Sequence, residues 1–91
     1  MKIKVQFFAG LRETFHSKEM GIELKGQTNI GGLLDLLCDS RERREKIFDN
    51  GKLKPYMVIL RNGRHIQHLK GLKTELAEGD NIAIFPPVAG G

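Results

Sequence analysis

Polar and apolar side chains alternate at the start of the chain. In Lys2-Ile3-Lys4-Val5-Gln6-Phe7-Phe8, residues Ile3, Val5 and Phe7 share one face, the period of a half-buried strand. Gly10 breaks this strand, and Leu11 to Phe15 is long enough for one helical turn. Met20-Gly21-Ile22-Glu23-Leu24 reads as a second, shorter strand that stops at Gly26, joined to the first by a hairpin-like return. The period then changes. Ile30, Leu33, Leu34, Leu37 and Cys38 fall at i, i+3, i+4, i+7 and i+8, one apolar stripe of a helix. Thr28 is placed to cap it, because its hydroxyl can accept a backbone N–H that the first turn leaves unpaired. Gly31 and Gly32 weaken a helix by about 1 kcal/mol each against Ala. In the first turn they offer a close approach to the sheet instead.

Arg41 to Phe48 predicts a second helix, charged and short, and Asp49-Asn50-Gly51 ends it as a turn. Tyr56-Met57-Val58-Ile59-Leu60 is apolar throughout, as a central strand is. Asn62-Gly63 follows at once and favours a type I′ hairpin turn, since both positions tolerate positive φ. Arg64 to His68 returns as a strand, Leu76 to Asp80 turns, and Asn81-Ile82-Ala83-Ile84-Phe85 is the last strand. The expected core comprises Ile3, Val5, Phe7, Leu33, Leu34, Leu37, Val58, Leu60, Ile82 and Ile84. The fold class is α+β, a mixed sheet of four to five strands packed on one main helix. Residues 1–85 form one domain and 86–91 a C-terminal tail.

Composition narrows the function by exclusion. With 91 residues there is room for one domain. No apolar run approaches the roughly 20 residues that span a bilayer, and the alternating N-terminus lacks the apolar block of a signal peptide. A cytoplasmic protein with no membrane partner is expected. The single cysteine allows no internal disulfide, in keeping with a reducing compartment. The net charge of +4 suits either nucleic acid or an acidic protein surface. The densest basic cluster, Arg41-Glu42-Arg43-Arg44-Glu45-Lys46, is interleaved with acids and carries no aromatic to stack on bases. It reads as a solvated helix face, and no nucleic-acid partner is expected.

Catalytic constellations are missing from the sequence. Cys38 has no neighbouring histidine and lies on the apolar stripe, so it reads as a structural thiol. His65 and His68, three apart on an expected strand, point to opposite faces and make no metal pair. The glycines from Gly26 to Gly32 lack the Gly-Lys-Ser/Thr of a phosphate loop, so neither metal nor nucleotide is expected to be bound. What remains is the tail, Pro86-Pro87-Val88-Ala89-Gly90-Gly91. Each proline fixes φ near −65° and stiffens the exit. Six residues reach roughly 20 Å. Gly90 and Gly91 have no side chains and thread a passage too narrow for other residues.

Glu78-Gly79-Asp80-Asn81 leading to Phe85-Pro86-Pro87-Val88-Ala89-Gly90-Gly91 resembles the ending of the MoaD/ThiS family of ubiquitin-like sulfur carriers. The ending is nearest to that of the small subunit of molybdopterin synthase. Phe7-Phe8-Ala9-Gly10-Leu11-Arg12-Glu13, Leu33-Leu34-Asp35-Leu36-Leu37 and Leu60-Arg61-Asn62-Gly63 extend the resemblance over nearly the whole chain. It implies a β-grasp fold and chemistry at the C-terminal carboxylate of Gly91. An E1-like adenylating enzyme activates that carboxylate with ATP, and a sulfur donor protein displaces AMP to leave a thiocarboxylate. The molybdopterin synthase large subunit then takes the tail and its sulfur into a molybdenum or tungsten pterin cofactor. The chain is then the sulfur-donating subunit of a complex and not an enzyme alone. Sulfur carriers for thiamin or tRNA thiolation, and ubiquitin-like modifiers joined through Gly91 to a lysine, use the same activated glycine. Two departures bear on the partner: the extra length around Arg41 to Pro55, and the basic net charge. Phe7, Leu60 and Phe85 are the docking candidates wherever their side chains reach solvent beside the tail.

Overall fold

In the computed structural model, residues 1–87 are described. Strand β1 (Lys2–Phe7) is followed by the single turn of α1 (Leu11–Thr14) and by β2 (Glu19–Glu23). Helix α2 (Ile30–Leu37) leads into α3 (Arg41–Ile47), then the small ribbon β3 (Phe48–Asp49) and β4 (Lys52–Leu53). Strands β5 (Val58–Arg61), β6 (Arg64–His65) and β7 (Asn81–Phe85) complete the chain, with two 3₁₀ turns, Ile66–His68 and Gly71–Lys73, between the last two strands.

Five strands make one mixed sheet in the order β2-β1-β7-β5-β6. The centre is β1 beside β7, parallel, with Val5 opposite Ile82 and Phe7 opposite Ile84. Strand β2 pairs antiparallel outside β1, and β5 pairs antiparallel on the other side of β7. The inward residues Ile3, Val5, Phe7, Ile59, Ile82 and Ile84 meet Ile30, Leu33, Leu34 and Leu37 of α2. Leu33 and Leu34 are fully buried, and burying a leucine is worth about 1.5–3 kcal/mol. This is a β-grasp arrangement, as the family resemblance implied.

Three local expectations are corrected. Val58 and Leu60 do not lie in the core; Met57 and Ile59 do. Five consecutive apolar residues carry no alternation to reveal the inward face. The parity is set by pairing, which puts Ile59 opposite Ile84 and Leu60 opposite Ala83. The cap of α2 is Asn29, whose side chain accepts from Gly32 N at 2.9 Å, not Thr28. Thr28 O accepts from Leu76 N and Ile30 N donates to Thr74 O, so residues 28–30 run along 74–76 and the helix starts one residue later. A Cβ on Gly31 would lie 3.3 Å from Leu72 O, so the close approach is to the Gly71–Lys73 turn and not to the sheet.

The predicted strand 64–68 stops at His65, because Ile66 turns into the core. The His65 and His68 rings consequently meet edge to face, 6.1 Å apart, instead of lying on opposite faces. Asn62-Gly63 has positive φ at both residues, 51° and 84°, as a type I′ turn requires. Asn50-Gly51 repeats that geometry at 53° and 77°, so the expected stop after α3 is a small hairpin.

The turn at Asn62 is locked to the start of β7 by Asp80. This carboxylate is 4% exposed and accepts from Arg61 Nε at 2.8 Å, Asn62 Nδ2 at 2.9 Å and Ala77 N at 2.8 Å. Asn62 and Asn81 add a reciprocal pair, Asn62 N to Asn81 O at 2.8 Å and Asn81 N to Asn62 Oδ1 at 2.9 Å. Two stretches that carry the family resemblance, Leu60–Gly63 and Glu78–Asn81, are therefore one hydrogen-bonded unit. Burial of Asp80 alone would raise its pKa. The hydrogen bonds from Arg61, Asn62 and Ala77 N outweigh that and hold it below the usual carboxylate range. A lowered folded-state pKa stabilises the fold above the unfolded value, about 3.9, and that contribution disappears as pH falls through the folded value. Asp80→Asn should lower the unfolding free energy at pH 7 by about 1–3 kcal/mol with little change in m. It should also flatten the loss of stability below about pH 4. Urea titrations at pH 7 and pH 3 check both.

Candidate functional site

The tail leaves from the centre of the sheet. Its root, Pro86-Pro87, continues β7, which is held between β1 and β5 up to Phe85. Val88, Ala89, Gly90 and Gly91 lie outside the described residues, so the site is built here from what surrounds their point of departure.

Parity along three strands decides which side chains stand on the outer face there. In β1 the inward positions are Ile3, Val5 and Phe7, so Phe8 is next on the outer side. In β7 Ala83 and Phe85 face outward, and in β5 Val58 and Leu60 are opposite Phe85 and Ala83. These five residues make one apolar patch on the face away from α2. The Phe8 and Phe85 rings stack with centroids 4.1 Å apart and 12° between planes. The Arg12 guanidinium covers Phe8 at 5.4 Å while its Nε donates to Phe7 O at 3.0 Å. The aromatic pair is thus fixed by a cation on one side and by the sheet bond Phe8 N to Ile84 O, 3.2 Å, beneath.

Leu60 and Phe85 sit half-buried on this patch. Phe7 does not reach it. It is fully buried and stacked on Phe15 at 4.4 Å, so it is a core residue and not a docking residue. Phe8 and Val58, both half-buried, stand on the patch instead. The signal for Phe8 was present: of two consecutive residues in a strand only one can face the core. For Val58 no signal existed, because its neighbours are apolar on both sides.

The other chemistry-bearing groups stand apart from the tail. Cys38 ends α2, is buried and approaches Arg43 O at 3.9 Å. Burial pushes its thiol up to about 11, with Arg44 opposing and Asp35 and Asp39 adding to the rise. An ordinary thiol near 9.0 would hold roughly a hundredfold more thiolate at neutral pH. Its burial and this shift both fit a structural thiol rather than a sulfur nucleophile. Among the described residues no group of three or more His, Cys, Asp or Glu is placed to hold a metal ion, and no helix is long and apolar enough to cross a membrane. Iodoacetamide at pH 7.5 should alkylate native Cys38 at least about a hundredfold more slowly than the same chain in denaturant. Equal rates would place the thiol at the surface.

Comparison with known proteins agrees with this geometry. The model of the ThiS family matches residues 5–91. Small archaeal modifier protein 3 of Haloferax volcanii is 34% identical over 92 residues, covering all of both chains. The molybdopterin synthase sulfur carrier subunit of Drosophila ananassae is 29% identical, covering all of this chain and 92% of its own. The solution structure of small archaeal modifier protein 1 from Methanosarcina acetivorans superposes with a TM-score of 0.82 at 37% identity, over 99% of this chain and 96% of that one.

Proposed function

Since the chain belongs to the ThiS family of ubiquitin-like carriers and modifiers, we propose that it works through the C-terminal carboxylate of Gly91, activated by adenylation and then loaded with sulfur. The observation that carries the reading is continuity: the family match runs from within β1 through Gly90-Gly91, and the proline root of the tail follows directly on β7, next to the apolar patch.

A carboxylate is a poor electrophile, so attack by sulfur needs a leaving group. A Gly91 carboxylate oxygen attacks the α-phosphorus of ATP and releases pyrophosphate. Sulfide from a donor protein then adds to the Gly91 carbonyl carbon. The C–S bond forms, the C–O bond to AMP breaks, and AMP leaves with the electron pair. The resulting thiocarboxylate is anionic at neutral pH and a soft nucleophile. ATP is a co-substrate of the adenylating enzyme and needs no site on this chain. The downstream partner we favour is a molybdopterin synthase-type large subunit, which takes the sulfur into a molybdenum or tungsten pterin cofactor. The Pro86-Pro87 stem and the similarity to the Drosophila ananassae carrier subunit support it. Full-length similarity to small archaeal modifier protein 3 supports a second reading, in which a target lysine attacks the same activated Gly91 and forms an isopeptide.

The apolar patch supplies the docking energy in either reading. Phe8→Ala or Leu60→Ala should weaken partner binding by about 1–3 kcal/mol and leave the fold intact. Phe7→Ala should instead lower stability by about 3–5 kcal/mol. Isothermal titration and urea unfolding on the same variants separate the two effects. Unchanged affinity for both patch variants would move the interface elsewhere.

Gly91 itself is tested by three changes to the tail. Deleting it shortens the reach by about 3.3 Å, well beyond the roughly 1 Å misplacement that already costs a hundredfold in rate. One residue added after it gives the reactive carbonyl to a different residue, and Gly90→Val blocks a narrow channel. Incubated with the adenylating enzyme, ATP and a sulfur donor, wild type should gain the mass of sulfur for oxygen, and all three variants should not. Equal loading of the extended variant would remove Gly91 from the mechanism.

A further inference from the structure

The apolar patch flanks the tail on one side only. On the other side a cleft of about 530 Å³ is lined by Ala9, Gly10, Leu11 and Thr14, by Lys46 and Lys54, and by Pro86 and Pro87 themselves. Its far wall is the segment 41–55. Helix α3 brings Lys46, and Lys54 is anchored by its N–H donating to Ile47 O at 2.9 Å. Neither lysine pairs with a carboxylate among the described residues, whereas the neighbouring Arg41, Arg43 and Arg44 are matched to Glu45, Asp39 and Asp35. No acid lines the cleft. Two uncompensated cations therefore stand at the root of a tail that must enter another protein.

Tyr56 adds a second, independent observation at the same end of the sheet. Val58 pairs with Phe85, so Lys54 to Met57 on β5's side and Pro86-Pro87 on β7's side leave the sheet together. Tyr56 is 87% exposed, the most exposed large apolar side chain among the described residues. It is also held at φ +66°, a left-handed conformation that an aromatic residue rarely adopts. Ala9, lining the cleft, is held at φ +52°. That φ belongs to the turn Lys54-Pro55-Tyr56-Met57, in which Pro55 takes the second position and Met57 N closes on Lys54 O at 3.3 Å. The turn leaves a large ring in solvent two residues from Lys54, and tyrosine is enriched among interface anchors.

We propose that Lys46, Lys54 and Tyr56 form a second docking surface, and that its occupant is an acidic segment of the enzyme that adenylates Gly91. The charge complementarity follows from the two ammonium groups, which have no carboxylate partner among the described residues, and from a described cleft lining that holds no acid. The choice of the activating enzyme rests on the function proposed above, because every fate of the activated tail requires that partner. The segment 41–55 is then a specificity element: it supplies both cations and one wall of the passage through which the tail is presented.

The test is ATP–pyrophosphate exchange by the adenylating enzyme of the same cell, at saturating ATP and varied carrier concentration. Lys46→Glu/Lys54→Glu should raise the KM for the carrier about tenfold with kcat within about twofold, since charges outside the reacting centre act on association. The wild-type KM should rise with added KCl, and that dependence should flatten in the double variant. Tyr56→Gly removes the ring and relieves the strain, so its melting temperature should hold or rise while KM increases about fivefold. Lys25→Glu and Lys70→Glu, exposed and remote from the cleft, should behave as wild type. Unchanged KM in both the double variant and Tyr56→Gly would overturn this inference and leave the function standing. A salt-independent wild-type KM would overturn the acidic partner. No exchange with the wild-type chain would overturn the proposed function and this inference with it.

Discussion

The parallel pairing of β1 with β7 is the constraint on which the rest of the structure depends. It joins the first and last strands of the chain as the central pair of the sheet, with Val5 against Ile82 and Phe7 against Ile84. A parallel pair needs a crossover, and everything between residues 8 and 80 serves as one. Helix α2 covers the inner face within it, and β5 closes the far side of β7. Pro86-Pro87 therefore follow directly on a strand in the middle of the sheet. That strand is paired on both sides, so a partner that grips the patch or the cleft grips the strand that leads to the tail. The Asp80 cluster extends the same control to the other end of β7, fixing where the strand begins and hence its register.

The fold was readable from the sequence wherever one period dominated. The alternation in Lys2–Phe7 and the stripe from Ile30 to Leu37 gave the right elements with the right inward residues. Reading failed where periodicity was silent. Tyr56 to Leu60 is apolar throughout, so only pairing with β7 could decide that Ile59 points inward and Leu60 outward. The Thr28 cap failed for a related reason: residues 28–30 are already engaged along 74–76, a long-range contact that no local signal announces. The error at the site has another cause. The alternation already placed Phe7 inward with Ile3 and Val5, and the same parity, followed one residue further, sends Phe8 to the surface. The segment 41–55 could be recognised as additional length, but its placement beside Pro86-Pro87 depends on tertiary packing of α3 against α1.

The chemistry of this chain is separated from its stability. The buried groups with shifted pKa values, Asp80 and Cys38, are structural: one locks a turn, the other is a thiol with almost no thiolate. Among the described residues, the surface around Pro86-Pro87 holds apolar and cationic groups but no acid–base pair positioned to move protons. Such a division suits a substrate that is itself a protein. In the function proposed above, the chain supplies shape, charge and a slim electrophile or nucleophile in turn, and the acid–base groups belong to the enzymes that act on it.

The central claim is that sulfur resides on the carbonyl of Gly91. It is tested most directly by isolating the chain from its native cells, trapping sulfur nucleophiles with iodoacetamide and sequencing the peptides by mass spectrometry. The account predicts an alkylated thiocarboxylate on the peptide ending in Ala89-Gly90-Gly91, and none of the native sulfur on Cys38. Sulfur found as a persulfide on Cys38, with an unmodified carboxylate at Gly91, would contradict it.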